Sequence, residues 1–250
     1  MKFHWMIKDN LSPKELSRMS NVLDFYGYDS MLLTFHSDEP DYWIKAANAI
    51  NPDHKIKYMI ALRPYAITAA YCSMMIDAFN EIDFNRMYLN IIAGTNDDDQ
   101  ALFCTVTSID ERKRDSGNFV KTLKSINKNC PRVFFSGASE ETVSNVKNFG
   151  DGQVITLSRF NEAGLQSSRP IVRVSIILDD DANFIYNSMQ YGKEKSNTVF
   201  GNKEEIKSKI KELESMGVTD LLISNTSFGS NDSKIHEVVL EMLQEQNASL

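Results

Sequence analysis

The sequence has little of what marks secreted, metal-binding or membrane-spanning proteins. It contains three cysteines among 250 residues, an odd number without CxxC spacing, which predicts neither a disulfide framework nor a zinc ribbon. It has no run of about 18 apolar residues, and the charges of Lys8 and Asp9 interrupt its first apolar stretch, so neither a spanning helix nor a signal peptide is predicted. We therefore expect a cytoplasmic protein that does not bind membranes.

The signature motifs of several enzyme classes are also missing. The sequence contains no GxSxG, HExxH, GxxxxGK[ST] or GxGxxG pattern, which argues against serine hydrolases, zinc proteases, P-loop nucleotide hydrolases and simple dinucleotide-binding folds. Two acidic runs, at 97–99 and 179–181, lack the ligand spacing and the glycine of a calcium loop. No metal site is therefore predicted.

Positive charge is scarce relative to negative charge. The 27 Lys and Arg residues face 34 Asp and Glu residues, for a formal net charge of -7. An acidic chain is not expected to offer the broad basic surface that nucleic acids require, although a local basic pocket is compatible with this balance. Hydrophobic residues make up 42% and charged residues 24% of the chain, which are the proportions of a globular protein with a substantial core.

What the sequence does contain is a regular alternation of two kinds of segment. Short runs rich in Val, Ile, Phe and Tyr alternate with longer segments of helical period, which is the pattern of repeated βα units and a parallel sheet. The predicted strands are 2–7, 31–35, 55–62, 86–93, 133–135, 154–157, 171–178 and 221–224. The predicted helices are 12–27, 40–50, 67–82, 116–128, 139–148, a short one near 160, 182–189, 203–216 and 233–246.

This alternation favours a (β/α)8 TIM barrel. Eight βα units in this chain have about 31 residues each, which is the usual length of a unit in such a barrel. No Pro-, Gly- or Ser-rich linker divides the chain, so we predict a single domain over 1–250. The competing doubly wound sheet normally has a glycine-rich turn after its first strand, whereas this turn reads Lys8-Asp9-Asn10.

The segment after the fifth predicted strand is the most informative about ligands. In a barrel, functional groups lie at the C-terminal ends of the strands. Ser136, Gly137, Ala138 and Ser139 leave that strand and open a helix, whose free amides and dipole favour an anion such as a phosphate. We call residues 136–139 the cradle. The alternative is that Ser139 is only a helix N-cap.

Three further side chains at predicted strand positions are candidates for chemistry. His4 and His36 could act as general bases or donate hydrogen bonds to a bound ring, and a structural role is the alternative for each. Arg63 follows an apolar strand, where its charge requires an anion. That anion is either a ligand or the carboxylate of a neighbouring strand.

Three segments together resemble the bacterial luciferase-like flavin monooxygenases, and within them the alkanesulfonate monooxygenase branch. The segment IALRP at 60–64 resembles the "AxRP" run of the branch's third strand, and RMYLNIIAGTND at 86–97 resembles its "GRLLINVVTGGDP" fourth strand. The segment FFSGAS at 134–139 resembles "LYFGGSS", the strand and helix start that hold the flavin phosphate in this family. Fainter similarities follow the family's order over nearly the whole chain.

The resemblance implies a fold, an activity and a set of site residues. It implies a luciferase-like TIM barrel that binds reduced FMN, supplied by a separate flavin reductase, and reacts it with O₂ and a small or carrier-tethered organic substrate. Members of the family often form homodimers. The implied site residues are Gly137, Ala138 and Ser139 at the flavin phosphate, Asn90 and Thr95 along the flavin, and His4, His36 and Arg63 facing the ring or the substrate.

The sequence also departs from this family in ways that keep two alternatives open. Lys113 stands where relatives have a tyrosine near the phosphate, and the connections after the fourth and seventh predicted strands are short. The second of these carries the mobile active-site lid in relatives, so a shortened lid favours a flavin-binding protein without turnover. The other alternative is an oxidoreductase that uses the deazaflavin F420, which the same superfamily also binds.

Overall fold

The computed structural model describes residues 1–7, 10–35, 39–94, 107–163, 169–180, 195–224 and 232–248. His36, Thr95 and the predicted helix at 182–189 lie outside these residues.

Within those ranges the chain forms nine parallel strands, eight of which close into a barrel. Strands β1 to β6 pair in sequence order, β7 pairs with both β6 and β9, and β9 pairs with β1. The strands are β1 (Lys2–Ile7), β2 (Ser30–Leu33), β3 (Lys57–Leu62), β4 (Met87–Ile91), β5 (Arg132–Ser136), β6 (Gly152–Thr156), β7 (Pro170–Leu178), β8 (Thr198–Gly201) and β9 (Asp220–Ser224). The predicted barrel is confirmed. The short strand β8, which pairs with the C-terminal half of β7, was not among the predicted strands.

Helices cover the outside of the barrel. In the described part of the chain they are α1 (Pro13–Phe25), α2 (Tyr42–Ala49), α3 (Ala69–Ile82), α4 (Ile109–Ile126), α5 (Glu140–Phe149), α6 (Leu157–Ala163), α7 (Lys203–Ser215) and α8 (Asp232–Ala248). Short 3₁₀ turns lie at Pro64–Ala66 and Lys195–Asn197. None of the described helices is long and apolar enough to cross a membrane.

Helix α4 begins seven residues before its predicted start at 116. Ser108 accepts a hydrogen bond from the Glu111 backbone N–H, and the Glu111 carboxylate accepts one from the Ser108 backbone N–H. This reciprocal pair satisfies two of the free N–H groups that every helix start leaves. The prediction was wrong at this end because the charged run from Asp110 to Asp115 hides the apolar period. The early start brings Lys113 into the helix.

Apolar side chains form two packed layers separated by the sheet. Because successive strand residues point to opposite faces, Phe3, Trp5 and Ile7 of β1 pack outward under the helices. A smaller cluster fills the barrel interior; its members are Leu32, Met59, Ala61, Tyr88, Phe134, Val154, Ile171 and Leu222. The barrel interior is therefore filled by side chains and is not a pore. A ligand is expected to bind at an end of the barrel.

One histidine is enclosed by aromatic rings between the barrel and α8. The His236 ring packs against Trp5, Tyr26 and Tyr28, with ring centroids 4.7, 5.2 and 5.5 Å away. Its Nδ1 lies 3.0 Å from the Tyr28 hydroxyl. Burial lowers the pKa of His236 from 6.5 to about 4, because water can no longer stabilise the charged imidazolium.

The depressed pKa of His236 predicts acid sensitivity in a defined pH window. In the unfolded chain His236 takes up a proton below pH 6.5, whereas in the folded protein it does so only near pH 4. The free energy of unfolding is therefore at its full value above pH 6.5 and declines as the pH falls from 6.5 to about 4. We expect a loss of about 3 kcal/mol in the free energy of unfolding. Urea unfolding at several pH values measures it. His236→Gln should lose this part of the pH dependence, whereas His54→Gln, in a surface turn, should retain it; parallel pH curves for all three proteins would refute the assignment.

Candidate cofactor-binding site

A cavity of about 760 Å³ opens at the C-terminal end of the barrel, over strands β4 to β7. We call it the mouth cavity. Its described lining residues are Ile92, Ala93, Gly94, Ile109, Lys113, Ser136, Gly137, Ala138, Ser139, Thr142, Val154, Ile155, Thr156, Arg159 and Arg173. Both the location and the volume are typical of a cofactor or substrate site in a TIM barrel.

The cradle forms one wall of this cavity, and its backbone is held in one conformation. The Gly137 N–H donates to the Val154 carbonyl at 3.0 Å, and the Gly137 carbonyl accepts from Gln153 Nε2 at 2.6 Å. Gly137 has φ +121°, a conformation that side chains rarely adopt, and an added Cβ would lie 3.3 Å from Thr142 Oγ1. Only glycine therefore meets the cradle's shape without strain.

The cradle leads into helix α5 through a hydroxyl cap. Ser139 Oγ accepts from the Thr142 N–H at 3.3 Å and lies 3.0 Å from Thr142 Oγ1. Ser139 is thus the N-cap of α5. Like every helix start, α5 has N–H groups in its first turn that find no acceptor inside the helix. Glu140 is exposed and, with Glu141, lies outside the described lining of the cavity. The first turn therefore presents amides and hydroxyls to the cavity.

Helix α4 adds a positive charge beside the cradle. Asn145 Nδ2 of α5 donates to the Lys113 carbonyl at 2.7 Å, which ties the two helices together. The helices approach closely because residue 117 is glycine; a Cβ there would lie 2.2 Å from Asn145 Oδ1. Lys113 lines the cavity, its side chain is 21% exposed, and its Nζ lies 3.4 Å from Asp110. An ammonium group, two hydroxyls and a helix start together form a donor set suited to a phosphate.

Of the other residues expected along the flavin, Asn90 lies under the cradle. Its side chain is 2% exposed in β4, and its Oδ1 accepts a hydrogen bond from Ser136 Oγ at 2.8 Å. Asn90 therefore orients Ser136 from below, and it is not among the residues that line the cavity. Thr95 lies outside the described residues.

Arg63 lies at the same end of the barrel, after β3. Its Nη1 donates to the Tyr65 hydroxyl at 2.9 Å, and its guanidinium lies 4.7 Å from the centre of the Phe35 ring. Tyr65 in turn packs against Gly94, where an added Cβ would lie 2.9 Å from the Tyr65 hydroxyl. Since Gly94 lines the mouth cavity, Arg63 adjoins it through Tyr65.

His4 does not share this location. It is fully buried in the N-terminal half of β1, where Nδ1 lies 2.7 Å from Ser30 Oγ and Nε2 lies 3.1 Å from Asp220 Oδ1. Ser30 and Asp220 begin their strands, so this cluster lies toward the N-terminal end of the barrel, away from the cavity. His4 is therefore not among the described residues that line the mouth cavity. His36 lies outside the described residues.

Several cavity residues, among them Thr142, Arg159 and Arg173, were not among the predicted site residues. Thr142 follows Ser139 at a spacing of three, which places both hydroxyls at one helix start, and that spacing could have indicated it. Arg173 is the one charged residue in the β7 sequence PIVRVSIIL, which is a signal for a functional charge. Arg159 follows the sixth predicted strand, and this position at a strand end could have indicated it. In the described part of the chain, no group of three or more His, Cys, Asp and Glu side chains could hold a metal ion.

Comparison with known proteins places the fold but not a sequence family. No protein-family model matches this sequence. Among solved structures, the chain is similar to EDTA monooxygenase (EmoA) from Chelativorans sp. BNC1, with a TM-score of 0.80 and 12% identity over 98% of this chain and 94% of that one. It is also similar to riboflavin lyase (RcaE) with modified FMN and riboflavin, with a TM-score of 0.79 and 10% identity over 99% and 92%.

A third similar structure binds a different cofactor. It is an F420-dependent secondary alcohol dehydrogenase in complex with an F420-acetone adduct, with a TM-score of 0.71 and 12% identity over 96% of this chain and 97% of that one. Sequence identities this low do not indicate a shared function, but the alignments cover nearly the full length of both chains. With its closed eight-stranded parallel barrel and flanking helices, the chain has the luciferase-like TIM-barrel fold.

Proposed function

We propose that this protein is an oxidoreductase that binds a flavin by its phosphate in the mouth cavity. The observation that carries the proposal is the convergence of the cradle, the start of α5 and Lys113 on one cavity at the C-terminal end of the barrel. Within this class we propose a monooxygenase that uses reduced FMN and O₂ and acts on a small or carrier-bound organic substrate. The likeness in fold to monooxygenases supports this choice.

Each wall of the site has a defined task in this proposal. The Gly137 and Ala138 backbone, the Ser139 and Thr142 hydroxyls and the Lys113 ammonium hold the phosphate. Ser136, oriented by Asn90, extends this polar wall into the barrel.

Part of the remaining lining is apolar. Ile92, Val154 and Ile155 line the cavity, and their side chains would help to exclude water from a bound flavin. Arg63, held over Phe35 and bonded to Tyr65, offers a cation at the substrate side of the mouth. A bound flavin would supply the two-electron and oxygen chemistry that these side chains lack.

The proposal includes partners that follow from the chemistry. Because reduced FMN must be produced elsewhere, we propose a separate flavin reductase as its source. A homodimer, which the family resemblance implies, stays a prediction. Met74 on α3 is 66% exposed, whereas Met75 is partly buried against the core, so Met74 is the more accessible of the two to a second chain.

Equilibrium titration tests the cofactor. FMN, riboflavin and F420, each oxidised and anaerobically reduced, are titrated against the protein while the quenching of protein or cofactor fluorescence is recorded. We expect FMN to bind at least about tenfold more tightly than riboflavin, because riboflavin lacks the phosphate that the cradle would hold. A preference for F420 would replace FMN by the deazaflavin. Absence of binding by all three in both redox states would refute the proposed function.

A second measurement separates an enzyme from a flavin-binding protein without turnover. The reduced complex is mixed with ¹⁸O₂ in the presence of candidate organic substrates, and the products are examined by mass spectrometry. A monooxygenase places one labelled oxygen atom in the product and the other in water. Flavin reoxidation without label in any product would assign the protein to the binding class.

A further inference from the structure

The cradle contains one peptide unit whose direction matters for ligand binding, the unit that joins Gly137 to Ala138. It is trans, since no cis peptide bond occurs in the described part of the chain, so its carbonyl and its N–H point in opposite directions. Only one of these two groups can face the mouth cavity. Gly137 has φ +121°, and because glycine adopts many backbone conformations, it does not by itself fix the direction of this peptide unit.

Gln153 of β6 holds this peptide unit in one direction. Gln153 is 1% exposed, and its Nε2 donates to the Gly137 carbonyl at 2.6 Å. A carbonyl oxygen only accepts hydrogen bonds, so the Gln153 amide presents its NH₂ group at this contact. On the other side of the glycine, the Gly137 N–H donates to the Val154 carbonyl at 3.0 Å. Both peptide units that flank the Gly137 Cα are therefore held from β6.

The Ala138 N–H consequently points away from Gln153. Ala138 lines the mouth cavity, whereas Gln153 is not among the described lining residues. In the described part of the chain, no group accepts a hydrogen bond from the Ala138 N–H. A backbone N–H of this kind, next to the free amides of a helix start, is a donor for an anion. The reverse direction would place the Gly137 carbonyl oxygen there, and its partial negative charge repels an anion.

We propose that Gln153 is a positioning residue for the cradle: by holding the Gly137 carbonyl, it directs the Ala138 N–H toward an anionic ligand. This inference rests on the proposed function, in which the ligand is a flavin and the anionic group is its phosphate. Gln153 acts through the backbone and not by contact with the ligand, because it is buried behind the cradle. Without its NH₂ group, the Gly137 carbonyl loses this partner and the peptide unit is free to turn over.

The first test compares the affinities for FMN and riboflavin, which has the same ring but no phosphate, in Gln153→Met. Methionine is close to glutamine in length and has no hydrogen-bond donor. We expect FMN affinity to fall about tenfold, the effect of one lost charge-assisted hydrogen bond, and riboflavin affinity to change less than about twofold. The matched control is Gln244→Met, the same change at an exposed position of α8, which should keep the wild-type ratio of the two affinities.

The second test reads the direction of the peptide unit itself by nuclear magnetic resonance. In protein labelled with ¹⁵N-alanine, the Ala138 amide resonance is identified by its absence from Ala138→Ser. In the wild-type protein we expect saturating FMN, and not riboflavin, to move the Ala138 amide proton downfield, because a hydrogen bond to a phosphate deshields that proton. In Gln153→Met this shift should be lost. A role of Gln153 in stability alone would leave the shift in place in the folded protein.

A wild-type ratio of FMN to riboflavin affinity in Gln153→Met would overturn the inference, as would an Ala138 shift of wild-type size in that variant. An equal loss of both affinities would also overturn it, because it would indicate a general disturbance of the cavity. Should Gln153→Met fail to fold, Gln153→Leu, which also lacks the donor, decides by the same two measurements. Failure of the wild-type protein to bind flavin at all would instead refute the proposed function, so the two failures are distinguishable.

Discussion

Lys113→Glu is expected to weaken FMN binding by about 100-fold or more and to leave riboflavin binding nearly unchanged. Lys113 lines the mouth cavity beside the cradle, and its side chain is mostly buried. Reversing its charge replaces an attraction to the phosphate dianion by a repulsion. A loss of 100-fold corresponds to about 2.7 kcal/mol, which a charge reversal within about 4 Å supplies even at an effective dielectric constant of 20. Fluorescence titration with both ligands measures it.

The control variant for this prediction is Lys121→Glu, which makes the same charge change at an exposed position of the same helix. It separates a local effect on the phosphate from a general effect of two added negative units on an acidic protein. The phosphate assignment fails if FMN and riboflavin lose the same affinity in Lys113→Glu. It also fails if Lys121→Glu is equally damaging.

Asp220→Ala is expected to destabilise the folded protein by about 3–5 kcal/mol. The Asp220 side chain is 2% exposed and lies 3.1 Å from His4 Nε2 and 3.4 Å from Arg169 Nε. Although burial raises the pKa of this carboxyl, hydrogen bonds from His4 and Thr219 and the charges of His4 and Arg169 lower it to about 2. Asp220 is therefore ionised at neutral pH, and its loss removes the carboxylate that contacts both His4 and the Arg169 guanidinium.

Thermal and urea unfolding measure this loss. For a chain of this size a change of 4 kcal/mol corresponds to a fall in melting temperature of roughly 10 °C. Asp53→Ala, at an exposed position of a surface turn, is the control and should change stability by less than about 0.5 kcal/mol. Retention of wild-type stability by Asp220→Ala would show that the cluster around His4 contributes nothing to the fold. FMN affinity should change little in the folded fraction, because His4, Asp220 and Arg169 are not among the described residues that line the mouth cavity.

Much of the fold could be predicted from the sequence because the signals are local. The strand at 2–7 was predicted with its observed bounds. The ends of the other seven barrel strands were each predicted to within two residues. Strand β8 was not predicted because it is only four residues long, Thr198–Gly201. Such a short segment resembles a loop in the sequence, and it is recognised as a strand only by its pairing with β7. The start of α4 escaped because the capping pair Ser108 and Glu111 precedes a polar stretch that shows no apolar period.

The site was predictable where its signal is a short contiguous motif. Gly137, Ala138 and Ser139 follow one strand and open one helix, so their position at the mouth follows from the strand order alone. His4 illustrates the opposite case. Its place in a strand suggested chemistry, but which end of the barrel it faces depends on its neighbours Ser30 and Asp220, which are 26 and 216 residues away.

The alternation of strands and helices, the glycine turn of the cradle and the helix caps are local features, because each depends on residues a few positions apart. Which side chains share a cavity depends instead on the closed barrel. Lys113, Ser139 and Arg173 come together because the sheet closes on itself, with β7 paired to both β6 and β9. Closure and register are set by the packing of all eight barrel strands at once, and no local pattern encodes them.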